Sequence, residues 1–217
     1  PAKDVSPSKA DEYFNSGNYY AALKQYIQLC KKDSANVEYH YRAARCILAL
    51  NNDRKKAVPH LEFVVKQSTV ENQALYDMAH AYHLALKFDD AIKYFNLYKQ
   101  KTNDAKADRQ IEMCNNAKIL IKKPVNVIFE NVGEGVNTEF PDYYPWITNN
   151  EEKLIFTSRR PSNIGGKELD FDGLRPSDIY ISTVLKGQFA KTQNLGPLVN
   201  TSYDEQAVGI APDGSQI

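Results

Sequence analysis

The sequence predicts a multidomain α + β chain. An α-solenoid of three helix pairs and a closing helix spans residues 1–123, and an all-β region of four-stranded units follows over 124–217, one unit whole and the second only begun. Three observations predict it. Glycine occurs once before Pro124, at Gly17, and nine times after it, so backbone freedom changes abruptly there. Before Pro124 the apolar residues recur at helical spacing, in a pattern that repeats every 34 or 35 residues. After it, alternating runs such as VNVIFEN, YYPWIT, KLIFTS and DIYISTV read as strands, and that pattern repeats at 63 residues.

In the helical part, NYYAALKQYIQLC, RKKAVPHLEFVVK and FDDAIKYFNLYKQ align on Ala22, Ala57 and Ala91, spaced 35 and 34 residues apart. An upstream set, Ala10, Ala44 and Ala79, is spaced 34 and 35 apart. Large residues follow each set: Tyr13, Ile47 and Tyr82 after the upstream one, Tyr26, Leu61 and Phe95 after the other. Small residues let two helices approach closely, and the large ones fill the space between pairs. Pro7 falls inside the first leading helix and predicts a short or irregular element. Pro59 follows Ala57-Val58 and is expected in the first turn of its helix, where a missing N–H is tolerated. A seventh helix over about 105–121 covers the apolar end of the stack, as solenoids require. Pro124 then ends the helical stretch, because the residue before a proline is pushed out of the α region.

In the β part, residues 137–154 align without gaps on 200–217. Gly133 falls on Gly196, Phe140 on Tyr203, Ile147 on Ile210, and the turn NNEE on PDGS. The first unit then holds strands at 143–148, 153–158, 178–184 and 188–194. Residues 126–131 align with the outermost strand yet precede the first inner one, and are expected to form a strand too. A repeated four-stranded antiparallel unit predicts a β-propeller blade. About one and a third blades cannot close a ring, so further blades are expected beyond Ile217, the leading outer strand completing the last of them.

The helical repeat resembles the tetratricopeptide (TPR) family of helix–turn–helix units. The third unit is nearest its pattern, with Leu75, Ala79, Tyr82, Phe88, Ala91, Phe95 and Tyr98. The second departs from it in an extra residue at Asn51-Asn52-Asp53 and in Pro59. In that family the first helix of each pair lines a groove for a peptide or helix. The resemblance therefore implies partner-binding positions at Asp11, Phe14 and Asn15, at Tyr41, Arg45 and Leu48, and at Tyr76, His80 and His83. The Lys- and Asn-rich clamp used for acidic chaperone tails is absent, which disfavours that ligand. The runs FTSRRP, SDIY, NLGPLVNTSYDE and APDG resemble the WD40-like, TolB-type (PD40) propeller repeat over about 137–217, with a longer loop than usual at 161–177.

Little in the sequence carries chemistry. Formal net charge is zero, so bulk electrostatics point to neither nucleic acid nor an anionic membrane. Cys30, Cys46 and Cys114 read as free thiols, with a Cys30–Cys46 bridge the one pairing open if adjacent helices juxtapose them. His40, His60, His80 and His83 lie on expected helices and no Cys/His cluster has metal-ligand spacing, so no metal is assigned. Asp170-Phe171-Asp172-Gly173 carries a fragment of a calcium-loop pattern without its remaining positions, and reads as a polar loop. Nucleophile-elbow, P-loop and dinucleotide motifs are absent, and no catalytic residue or cofactor is assigned.

The order of modules resembles a Bacteroidota architecture, the OmpA-family outer-membrane lipoproteins associated with type IX secretion and gliding motility. It implies a non-enzymatic periplasmic scaffold whose partners are other envelope proteins. A lipid anchor and an OmpA-like domain, neither within these residues, would tie it to outer membrane and peptidoglycan. Two alternatives stand beside it: the interaction region of a propeller-containing serine peptidase, and a TPR adaptor of another system.

Overall fold

The computed structural model describes residues 5–50, 53–67, 71–164, 169–170, 172–185 and 187–216. Two compact units, Pro1–Asn126 and Val127–Ile217, make up the chain.

Among the described residues, seven α-helices form the first unit: α1 (Pro7–Asn15), α2 (Tyr19–Lys32), α3 (Val37–Ala49), α4 (Ala57–Val64), α5 (Asn72–Leu84), α6 (Phe88–Thr102) and α7 (Lys106–Leu120). Each packs on the next along the chain, and α3 also meets α5 across a pair. Local signals place the ends. Gly17 takes a left-handed conformation (φ 81°) that reverses the chain between α1 and α2, and Asn18 Oδ1 then accepts from the Ala21 amide at 3.1 Å as the cap of α2. Asn36 caps α3 in the same way, through the Tyr39 amide at 3.1 Å. α1 is the short leading helix expected, 9 residues against 13 in α3 and in α5; Pro7 occupies its first helical position, where its missing N–H has no acceptor to lose. Pro59 sits in the first turn of α4.

The repeat positions make the core. All six aligned alanines, Ala10, Ala22, Ala44, Ala57, Ala79 and Ala91, are fully buried, as are Leu61 and Phe95. Tyr26 is nearly so, and its hydroxyl donates to Asp11 at 2.5 Å. A cluster around Met78, Leu61 and Phe95 joins α3 to α7, and a second around Phe14, Tyr26 and Cys46 joins α1 to α3. The three cysteines are buried and free, so the Cys30–Cys46 bridge is not formed.

The second unit is an antiparallel sheet of β1 (Asp142–Ile147), β2 (Lys153–Ser158) and β3 (Asp178–Leu185), with two short pieces, β4 (Gln188–Phe189) and β5 (Gln193–Asn194), along the far edge of β3. The fourth strand expected over 188–194 is thus interrupted. Near its middle the Thr192 amide turns away to the Gly135 carbonyl, and a Cβ at Gly135 would lie 3.1 Å from the Ala190 oxygen. Side chains alternate between faces. Leu154, Phe156 and Tyr180 cluster with Val136 on one side; Ile155 and Ile179 cluster with Ala207 on the other, with Ile210 packed against them.

The strand expected at 126–131 does not form. Residues 124–132 make no backbone–backbone hydrogen bond among the described residues, and Phe129 is 93% exposed. Alternating apolar residues make a segment competent to be a strand, but a strand exists only with a partner to fill its ladder.

The 63-residue repeat reappears bond by bond. The Asn137 amide donates to the Gly133 carbonyl at 2.9 Å, and Asn200 does so to Gly196 at 2.8 Å. Thr138 donates to Asp142 through its amide and hydroxyl, and Thr201 does so to Glu205. The Thr148 amide reaches the Lys153 carbonyl at 3.0 Å; its counterpart Ala211 reaches Gln216 at 2.9 Å, closing the PDGS turn. Gly133 and Gly196 share left-handed φ values of 92° and 79°. The resulting joint is specific. The Asn200 side chain accepts from the Ile179 amide at 2.8 Å and donates to the Ile179 carbonyl at 2.9 Å, standing in for a neighbouring strand. Asn200→Ala is expected to orphan the buried Ile179 amide, while the Ile179 carbonyl keeps the Leu195 amide at 3.1 Å, and to cost the β unit about 1–3 kcal/mol, read as a lower urea midpoint of Trp146 fluorescence, the single tryptophan lying on β1.

Candidate functional site

The leading helices α1, α3 and α5 carry a connected row of side chains. The Phe14 ring, on α1, lies under the guanidinium groups of Arg42 and Arg45 from α3, at 4.6 and 5.2 Å. Arg45 also lies over Tyr41, and the Tyr41 hydroxyl donates to Asp77 on α5 at 3.0 Å. Burial, then the charge and hydrogen bond of Asp77, push the Tyr41 phenol upward, so it remains a donor at neutral pH. Tyr76 on α5 stands edge-on to Phe95 and Tyr98, with the Lys106 ammonium 4.6 Å from its ring.

The nine expected groove positions divide by burial. Phe14 and Tyr41 are core residues, and Leu48 packs against the core. Asp11, Asn15 and Arg45 are exposed. Tyr76, His80 and His83 are half-buried. Burial lowers both histidines, with His83 and Arg54 adding to the effect at His80, so these imidazoles are neutral at physiological pH. His83 Nδ1 lies 3.1 Å from Cys114 Sγ. Arg42, Asp77 and Lys106 belong to the row and were not singled out by the family pattern; each partner lies on another helix, a relation linear spacing does not show.

Catalytic arrangements do not emerge around the thiols. Burial pushes Cys30 up to about 11 and Cys46 up to about 12, the pH range of inert structural thiols. In the β unit the charged groups hold the fold. Arg159 donates from Nε to the Arg175 carbonyl at 2.6 Å and pairs with Asp170 and Asp172. Those two carboxylates therefore face a guanidinium, while Phe171 lies outside the described residues. Arg160 lies inside, bonded to Ser158, Thr192, Asp142 and the Val136 carbonyl. The fold also gathers donors that sequence spacing had kept apart: Cys30, His40 and His60 each place a ligand atom within 4.8 Å of the others.

No family model and no curated protein matches the chain. Solved structures do show similarity. The type III secretion translocator chaperone SycD of Yersinia enterocolitica aligns at 17% identity and TM-score 0.42, covering 53% of this chain and 82% of that one. SycD has also been solved in complex with a peptide of the translocator YopD. The Sgt2 TPR domain of Aspergillus fumigatus aligns at 15% identity and TM-score 0.43, covering 59% and 91%. MamA aligns at 19% identity and TM-score 0.31, covering 52% and 81%.

Proposed function

We infer that the protein is a non-enzymatic interaction scaffold, with the α1–α3–α5 face receiving an extended or helical segment of a partner protein. One observation carries this reading. Phe14, Arg45, Tyr41 and Asp77 form a braced row across three repeats, from which Arg45, Asn15 and the half-buried Tyr76, His80 and His83 remain accessible. A braced row loses little side-chain entropy on binding, and Tyr and Arg are favoured interface anchors.

The β region fits the start of a propeller. Its first unit is a four-stranded meander whose next repeat begins by docking on one sheet face, the Ala207 amide donating to Thr157 Oγ1 at 2.8 Å. The resemblance in module order supports a position in the periplasm at the outer membrane, where the protein would couple a type IX secretion or gliding-motility complex to outer membrane and peptidoglycan.

The test is a photo-crosslinking amino acid placed at Arg45, at His80 and, as an outward-facing control, at Lys31, in cells of the source organism. Crosslinks to one envelope protein from Arg45 and His80 but not from Lys31 are expected. Equal labelling from Lys31, or none from the face, overturns the reading.

A further inference from the structure

We propose that Cys30, His40 and His60 form a zinc(II) site that pins α2, α3 and α4 together at the joint between the first and second helix pairs. The three residues come from the C-terminal end of α2, the first turn of α3 and the start of α4. One ligand atom from each lies within 4.8 Å of the other two. Tetrahedral zinc with one sulfur and two nitrogen ligands needs donors about 3.3–3.8 Å apart, from bond lengths near 2.0–2.3 Å. His60 Nδ1 is 3.0 Å from His40 Nδ1, so the rings need part by only a few tenths of an ångström.

The two facing nitrogens also compete for a single proton when no ion lies between them. Only one proton fits between the two facing nitrogens. If His60 supplies it, His40 carries its own N–H on Nε2; if His40 supplies it, His40 Nε2 is a bare acceptor. Zinc on both Nδ1 atoms removes that competition; His40 Nε2, buried and without a hydrogen-bond partner among the described residues, then carries the ring's N–H. The Cys30 sulfur is buried beside this pair and forms no disulfide. A thiolate with two imidazoles is a borderline-soft donor set that suits zinc, and hard cations bind it poorly. The half-buried histidines leave room for water as the fourth ligand. Zinc enters as the dication, the Cys30 thiol gives its proton to solvent, and both imidazoles ligate as neutral rings.

The pair His83–Cys114 is an internal control, since it offers only two donors at 3.1 Å. The experiment titrates cobalt(II), a spectroscopic stand-in for zinc, into the reduced 217-residue chain. One equivalent should produce a near-ultraviolet thiolate-to-cobalt band and the strong visible bands of tetrahedral cobalt, both abolished by zinc. Cys30→Ser should remove the near-ultraviolet band, His60→Gln should weaken binding about tenfold or more, and His83→Ala should change neither. Wild-type protein supplies a variant-free check: zinc should shift the imidazole resonances of His40 and His60 and leave those of His80 and His83. A wild type without the thiolate band, a band that survives Cys30→Ser in a folded protein, or zinc shifts confined to His80 and His83 would overturn the proposal.

Discussion

Arg160→Ala is expected to unfold the β unit while the helical unit remains folded. The Arg160 guanidinium donates to Ser158 Oγ at 2.8 Å, Thr192 Oγ1 at 2.9 Å, the Val136 carbonyl at 2.9 Å and Asp142 Oδ1 at 2.7 Å. It also covers the rings of Phe156 and Tyr180 at 5.3 and 4.4 Å. Truncation leaves the part-buried Asp142 carboxylate its Thr138 bonds but not its cation, and strands the buried Val136 carbonyl. Breaking a buried pair from one side costs about 3–5 kcal/mol, a large share of what a unit of this size has. Trp146 fluorescence should report unfolding at a much lower urea concentration, with the main far-ultraviolet helical transition unmoved.

The same pair sets the response to acid. Burial alone pushes the Asp142 carboxyl upward, but hydrogen bonds from Ser158, Arg160 and Thr138 outweigh it and hold the group below the usual carboxylate range. A folded pKa below the unfolded one gives stability that is present above about pH 4 and lost as pH falls through the folded value. Arg160→Ala removes one of these bonds and leaves those of Ser158 and Thr138. The carboxylate then takes up a proton more readily than in the folded wild type, so the gap between variant and wild type should narrow below about pH 4. A gap that is constant or widens with acid would show that Asp142 is not the group left uncompensated.

The helical counterpart is Phe95→Ala, expected to cost about 3–5 kcal/mol. Phe95 is fully buried on α6, in the cluster that joins α3 to α7, with Tyr76 edge-on at 5.3 Å. The cavity opens where two helix pairs meet, and neighbours built on fully buried alanines have no longer side chain with which to fill it. Phe95→Leu keeps much of the volume and should cost well under half as much. Urea unfolding followed by far-ultraviolet dichroism checks both, and here the Trp146 transition should stay in place.

The arrangement of alanines was legible because helix packing writes itself into sequence at a fixed period. A position where two helices touch must be small at every repeat, and Ala10, Ala44 and Ala79 recur for that reason. The strand positions were legible through their alternation, and the 63-residue offset through its motif residues. What failed to show is what depends on a partner elsewhere. The run at 126–131 has the alternation of a strand, but no ladder is formed there. Two family-derived groove positions, Phe14 and Tyr41, turned inward, since an aromatic on a leading helix serves the core and the open face alike. The gathering of Cys30, His40 and His60 left no trace in spacing, because its three members come from three different helices.

The joint at Asn200 means that the block repeated in sequence and the block that folds are out of phase. By alignment Asn200 opens the second repeat, yet its side chain completes the edge of β3 in the first. Asp204, a few residues on, accepts from the amide and hydroxyl of Ser177 at the head of β3. This seam is therefore made from the tail of one copy and the head of the next. A gene that duplicates or loses a whole block reproduces the same seam each time, with no new surface to evolve. A chain of this kind can change length by copying, while a cut placed at the apparent repeat boundary damages the copy before it as well as the copy after.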